Sequence, residues 1–195
     1  MMRTFSDLVY PKAVRHDALV RDGLLILSGS LMVAVCAKIQ IPGPLPMTLQ
    51  TFAVVLVGAM LGSQRGALAL LAYLLEGAAG LPVFARPLAG PAYFAGDTTG
   101  YLIGFVVAAF IVGRLAERGW DRRFMTAVFV FVIGHAVILL LGLIWRSFYV
   151  GPGLAFAEGV WKVLPGAGLK TLAAAMVLPA GWKLVRRVEQ SHQAD

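Results

Sequence analysis

MTAVFVFVIGHAVILLLGLIW, residues 125–145, decides what kind of protein this is. The stretch carries no charged residue, and Thr126 and His135 are its only markedly polar side chains. An α-helix rises about 1.5 Å per residue, so about 20 apolar residues cross the ~30 Å hydrocarbon core of a bilayer. A helix on the surface of a soluble domain keeps a polar stripe for water. This one has none, and its solvent is lipid or other apolar helices.

Working outward, the same reading repeats. The charged turn Glu117-Arg118-Gly119-Trp120-Asp121-Arg122-Arg123 precedes it, and before that lies a fourth span at Thr99 to Leu115. On the other side, residues 146–163 hold Arg146, Glu158 and Lys162 and read as a connection to a sixth span at Leu164 to Leu184. Toward the N-terminus three more apolar runs appear, at Leu24 to Ile39, Leu49 to Leu61 and Gly66 to Leu75. The second and third are short, which fits tilted helices or helices lining a site. Between the first and second, Pro42, Pro44 and Pro46 remove backbone donors and forbid helix, so an extended loop is expected. Residues 76–98 are rich in Gly and Pro yet carry Leu81, Val83, Phe84, Tyr93 and Phe94, more apolar side chains than a polar linker would hold. A loop folded back over a cavity would hold them.

Composition extends the argument to the whole chain. Only 14% of residues are charged, against about 25% in soluble domains. With a mean hydropathy of +0.80, there is too much apolar surface for one aqueous core. The expected fold is an all-α membrane protein with six transmembrane helices, occupying residues 23–187 between an N-terminal tail (1–22) and a C-terminal tail (188–195). Twelve of the 17 Lys and Arg residues fall in the N-terminal tail, at Arg65, at Arg114 to Arg123, and at Lys183, Arg186 and Arg187. Lys38, Arg86, Arg146 and Lys162 fall on the other side. Positive charge collects on the cytoplasmic face, so both termini are expected there, in a multi-pass protein of the inner (plasma) membrane. A net charge of +7 spread over connecting segments orients a chain in lipid and does not make a nucleic-acid face. The single cysteine, Cys36, excludes an intrachain disulfide and reads as a buried small residue. The first span follows a long lead-in with Asp7, Asp17 and Asp22, unlike a cleaved signal, and is expected to stay.

Several residues carry more than a membrane reading. Lys170 sits about six residues into the apolar sixth run, where an ammonium costs several kcal/mol unless it faces a cavity or a partner, or snorkels to the interface. Gly168-Leu169-Lys170-Thr171 has a superficial likeness to a phosphate loop, but the earlier glycine is misplaced and no strand precedes it. Further polar candidates near the membrane are Gln50, Glu76, Arg86, Asp97, Tyr101 and His135, the last more often a packing residue than a ligand. No His, Cys or carboxylate set has metal-ligand spacing, and no nucleophile–base arrangement can be identified; neither cofactor nor catalysis is expected. Small residues recur at helical spacing: Gly58, Gly62 and Gly66; Gly100, Gly104 and Ala108; and Ser30, Ala34 and Ala37. Such stripes allow close helix approach in lipid. For the first two that means packing within the bundle; for the third, internal packing and a docking partner both remain open. Trp120, Trp145, Trp161 and Trp182 fall at predicted span ends, as interfacial anchors do.

Five segments, in order along residues 31–172, bear a resemblance to one family. Ile41-Pro42-Gly43-Pro44-Leu45-Pro46-Met47-Thr48-Leu49-Gln50-Thr51-Phe52 resembles the proline-rich stretch of the BioY family, the biotin-specific S components of energy-coupling-factor transporters. Leu61-Gly62-Ser63-Gln64-Arg65-Gly66-Ala67, Gly80-Leu81-Pro82-Val83-Phe84-Ala85, Thr98-Thr99-Gly100-Tyr101-Leu102-Ile103-Gly104-Phe105, and Leu164-Pro165-Gly166 followed by Lys170 resemble its other conserved segments. The resemblance implies a six-helix subunit that binds biotin from outside, beneath closing loops, without chemistry of its own. It implies as partners a transmembrane coupling protein and, through it, cytoplasmic ATPase subunits. It implies that Lys170 pairs with biotin's carboxylate, that Tyr101, Val83 and Phe84 lie near the ligand, and that Ser30, Ala34 and Ala37 meet the coupling protein; Tyr93 and Gln50 join them as candidate substrate-binding residues. Three positions depart from the family pattern. Ala167 stands where an Asp accepts the ureido N–H bonds, Asp97 stands at a proline, and Arg86 stands at a small or amide residue. Either Asp97 supplies the lost acceptor, or the ligand is another small carboxylate such as a biotin precursor. An intramembrane enzyme is the reading from a different class, and it lacks an acid–base or metal set.

Overall fold

The computed structural model describes residues 4–6, 15–41, 47–85 and 89–192. Among them are six long helices: α1 (Arg15–Lys38), α2 (Gln50–Leu61), α3 (Ser63–Ala78), α4 (Thr99–Ala116), α5 (Phe124–Val150) and α6 (Pro152–His192). The fold is all-helical apart from a two-residue antiparallel ribbon, β1 (Gln40–Ile41) with β2 (Met47–Thr48), which pairs Gln40 with Thr48 and Ile41 with Met47. The ribbon brackets the three prolines, which lie outside the described residues.

α2 occupies the middle of the bundle. Its residues are apolar all round, and Ala53 to Ala59 are all buried, as a helix surrounded by other helices requires. It packs on α1, α3, α4 and α6. α1, α4 and α5 are long and apolar enough to cross a membrane. Their outer faces are apolar and exposed, with Leu24, Leu27, Leu31 and Val35 on α1, Ile103, Val107 and Phe110 on α4, and Phe129, Val132, Leu140 and Ile144 on α5. Stripes of that length, spaced at three and four residues, match a lipid-facing surface.

The glycine stripes do what close packing in lipid asks. A Cβ on Gly58 would meet the Ala109 backbone at 2.6 Å, and one on Gly104 would meet Ile138 Cα at 3.0 Å. Gly66 faces Gly58 itself. Gly62 has φ 86°, so α2 turns into α3 through one residue that only glycine adopts readily.

Four expectations need correction. Residues 146–163 are not a loop: α5 runs to Val150, Gly151 turns at φ 81°, and Pro152 opens α6. Proline suits a first helical position because its missing N–H would have no partner there. The charges that suggested a loop sit on helix, Arg146 on α5 and Glu158 and Lys162 on α6. The N-terminal tail is helical from Arg15, well before residue 22. Cys36 is half-buried rather than buried. Trp182 is not an interfacial anchor: it is buried and donates from Nε1 to Asp121 Oδ2 at 2.6 Å, with Phe5 edge-on and Arg122 stacked over its ring.

Candidate binding site

Lys170 faces inward. α6 presents Lys170, Thr171, Ala174, Ala175 and Leu178 to the bundle, while Leu169, Leu172, Met176 and Val177 lie on its outer side. The lysine is 6% exposed, and its Nζ donates to Thr51 Oγ1 at 3.2 Å. Among the described residues no carboxylate lies within ion-pair distance of it. A snorkelling lysine would keep its ammonium in water or headgroups; this one is held at the first turn of the central helix.

From Gln50, the residue before Thr51, polar contacts run toward the 79–98 loop. Gln50 is buried, and its Nε2 donates to Tyr73 OH at 2.8 Å. Tyr73 OH donates in turn to the Val83 carbonyl at 3.2 Å. Phe84 is fully buried, its ring edge-on to Tyr73 and Phe94 and stacked on Tyr93 at 4.3 Å. The ring fits there because Gly77 on α3 has no side chain to oppose it. Phe84 therefore pins the loop to α3, and Lys38 Nζ adds a bond to the Phe84 carbonyl at 2.6 Å.

Asp97 and Tyr101 belong to the other end of the same loop. Asp97 pairs with Arg146 at 3.5 Å, both side chains about a third exposed, and Tyr101 is half-buried with its ring against Gly142. Trp145 Nε1 and Tyr149 OH donate to the carbonyls of Gly96 and Ala95, so the end of α5 holds the loop by its backbone. Two sets of contacts thus meet at the start of α2, Lys170 on Thr51 and Gln50 with Tyr73, Val83, Phe84 and Tyr93, through the adjacency of Gln50 and Thr51 in the chain, with Asp97 and Tyr101 on the α5 side. Arg86 lies outside the described residues.

Sequence reasoning missed Thr51, Tyr73, Lys38 and Arg146 as part of this region. Thr51 could have been found, since it follows Gln50 in the same proline-flanked segment; the other three carry no local signal. The face formed by Ser30, Ala34 and Ala37 is turned inward. All three are buried within the chain, where α1 packs on α2 and α3, and Ser30 Oγ donates to Glu76 Oε2 at 2.6 Å. As a docking surface for a partner this face is corrected to an internal contact.

The fold is shared with a solved structure described as the S-component for biotin from an ECF-type ABC transporter, at a TM-score of 0.72 and 23% identity, over 91% of this chain and 95% of that one. A "Biotin transporter BioY" from Thermotoga maritima is 39% identical over 75% of this chain and 86% of its own length. A "Probable biotin transporter BioY" from Pyrococcus horikoshii is 42% identical over 66% and 76%. The BioY family profile matches residues 6–187, nearly the whole chain. The chain belongs to the BioY family.

Proposed function

We propose that this protein takes up biotin as the substrate-binding membrane subunit of an ECF-type transporter. The observation that carries the reading is Lys170: a lysine buried among apolar helices, bonded to a neutral threonine, with no carboxylate partner among the described residues. Such a cation matches an anionic group brought by a ligand, and biotin ends in a carboxylate on an apolar chain. Relatives named as biotin transporters support that identity over other small acids.

In this reading all six helices cross the inner membrane, both termini are cytoplasmic, and residues 23–187 form the transmembrane domain. The 79–98 loop faces outward. Lys170 holds the carboxylate, and Gln50, Val83, Tyr93 and Tyr101 line the apolar chain and ring. Phe84 sets the loop's position, while Asp97 stands at the mouth. A coupling protein and, through it, ATPase subunits supply energy, and the subunit itself performs no chemistry. Because Ser30, Ala34 and Ala37 are occupied, the coupling protein meets another face. Equilibrium binding by the purified subunit, with biotin, desthiobiotin and pimelate compared, tests the reading. Biotin should bind tightest; preference for pimelate would make the ligand a precursor instead.

A further inference from the structure

Behind Lys170 stands a polar side chain with an unused atom. His135 lies in the middle of α5, 7% exposed, in the stretch that otherwise reads as purely apolar. Its Nδ1 is 2.9 Å from the Phe131 carbonyl and 3.1 Å from Thr171 Oγ1. A carbonyl can only accept, so the contact with Phe131 places the proton on Nδ1. In the neutral ring Nε2 then carries a lone pair and no hydrogen. That atom is buried and has no hydrogen-bond partner among the described residues. An unpaired buried acceptor is costly, and a structure keeps one where something else completes it. Thr171 is the residue after Lys170, so the imidazole abuts the helical turn that carries the ammonium.

We infer that His135 Nε2 is the acceptor for an N–H donor on the ligand whose carboxylate Lys170 holds. The inference rests on the functional reading above and deepens it, because it specifies a ligand with an anion at one end and an amide-like or urea-like N–H at the other. The ring contacts Thr171, which lies one turn of α6 after Ala167, a residue with no side chain able to accept. The Phe131 carbonyl and Thr171 fix the ring, so the acceptor is set in place before ligand arrives.

The test measures binding of biotin and of its two ureido N-methyl derivatives to wild type, His135→Leu and His135→Gln, with Lys170→Met alongside. For wild type, methylation of the contacting nitrogen should weaken binding roughly tenfold, the scale of one neutral hydrogen bond. His135→Leu should lose about as much toward biotin, and methylation should then cost little more. His135→Gln, whose side-chain oxygen can accept near the Nε2 position, should recover part of the loss. In 15N-histidine-labelled wild type, the Nε2 resonance of His135 should move on adding biotin; this needs no variant and holds if His135→Leu fails to fold. An unmoved resonance, or an unchanged methylation penalty in His135→Leu, overturns the inference. If Lys170→Met still weakens biotin in that case, the functional reading survives; wild type that binds no biotin overturns both.

Discussion

Trp182 Nε1 donates to the buried carboxylate of Asp121 across 2.6 Å, tying α6 to the turn between α4 and α5. Phe5 from the N-terminal segment closes on the same indole, and Arg122 covers its other side. Removing the donor while keeping the carboxylate leaves a buried acceptor unpaired. Trp182→Phe should therefore destabilise the protein in detergent by about 1–3 kcal/mol, measured by thermal unfolding.

Two loop carboxylates should respond to pH in opposite senses. Burial pushes the Asp121 carboxyl up, beyond what the Trp182 bond and the Arg122 charge take back. Its contribution is present in full below the unfolded value of about 3.9 and is lost as pH rises through the raised folded value. Wild type should gain stability relative to Asp121→Asn as pH falls from 7 toward 4. Glu117 differs: burial alone would raise it, but donation from the Ser63 N–H and hydroxyl, with Arg114 beside it, holds it below the usual range. That contribution is present above about 4.3 and is lost as pH falls through the lower folded value. Glu117→Gln should be less stable than wild type at pH 7, with the gap closing in acid. Parallel melting curves for the three proteins decide both points, and gaps that do not change with pH would contradict them.

Lys170→Met keeps the length and apolar character of the stem and removes the charge. Folding should survive, since a buried ammonium without a counter-ion is a cost. A charge-assisted hydrogen bond is worth about 1.5–3 kcal/mol, so biotin affinity should fall roughly 10- to 150-fold. Biotinamide, which has no carboxylate, should lose little. Equal losses for acid and amide would mean that Lys170 does not touch the carboxylate.

Gly77→Ala should act on the loop. Its new methyl enters the space of the Phe84 ring, so the ring moves or the loop lifts, and overpacking of this kind costs about 1–3 kcal/mol. The expected signature is a faster biotin off-rate together with a melting temperature lowered by a few degrees. A melting temperature that falls while the off-rate stays fixed would place Phe84 in the fold alone.

Ala34→Leu separates internal packing from docking. Ala34 is buried against the chain's own helices, so the larger side chain should destabilise the isolated subunit by about 1–3 kcal/mol with no partner present. Unchanged melting, together with lost partner co-purification, would return this face to the docking role that the family resemblance implied.

The helices were legible because lipid makes their requirements uniform: apolar runs, small-residue stripes and charged turns mark α1 to α5 to within a few residues, the start of α1 excepted. The α5–α6 connection was not legible. Arg146, Glu158 and Lys162 resemble solvent-facing loop residues, and nothing local says that helix continues through them. Lys170 stood out because a lone charge in an apolar run is expensive wherever it points. Which way it points depends on α2, more than a hundred residues earlier. The same holds for Tyr73 and Arg146, whose partners are set by tertiary approach. Ser30, Ala34 and Ala37 show the converse limit, for a flat face in sequence does not say which surface will meet it.

The shortness of α2 has an electrical meaning. Twelve residues rise about 18 Å, well short of the ~30 Å insulating layer. Under the six-span reading, the remaining depth on the outer side is met by the paired strands Gln40–Ile41 and Met47–Thr48, whose backbone bonds are made to each other. Irregular backbone at that depth is tolerated only where protein or water surrounds it. In that reading the membrane at Lys170 would be dielectrically thin on one side, and an anion would reach the ammonium without crossing the full hydrocarbon barrier.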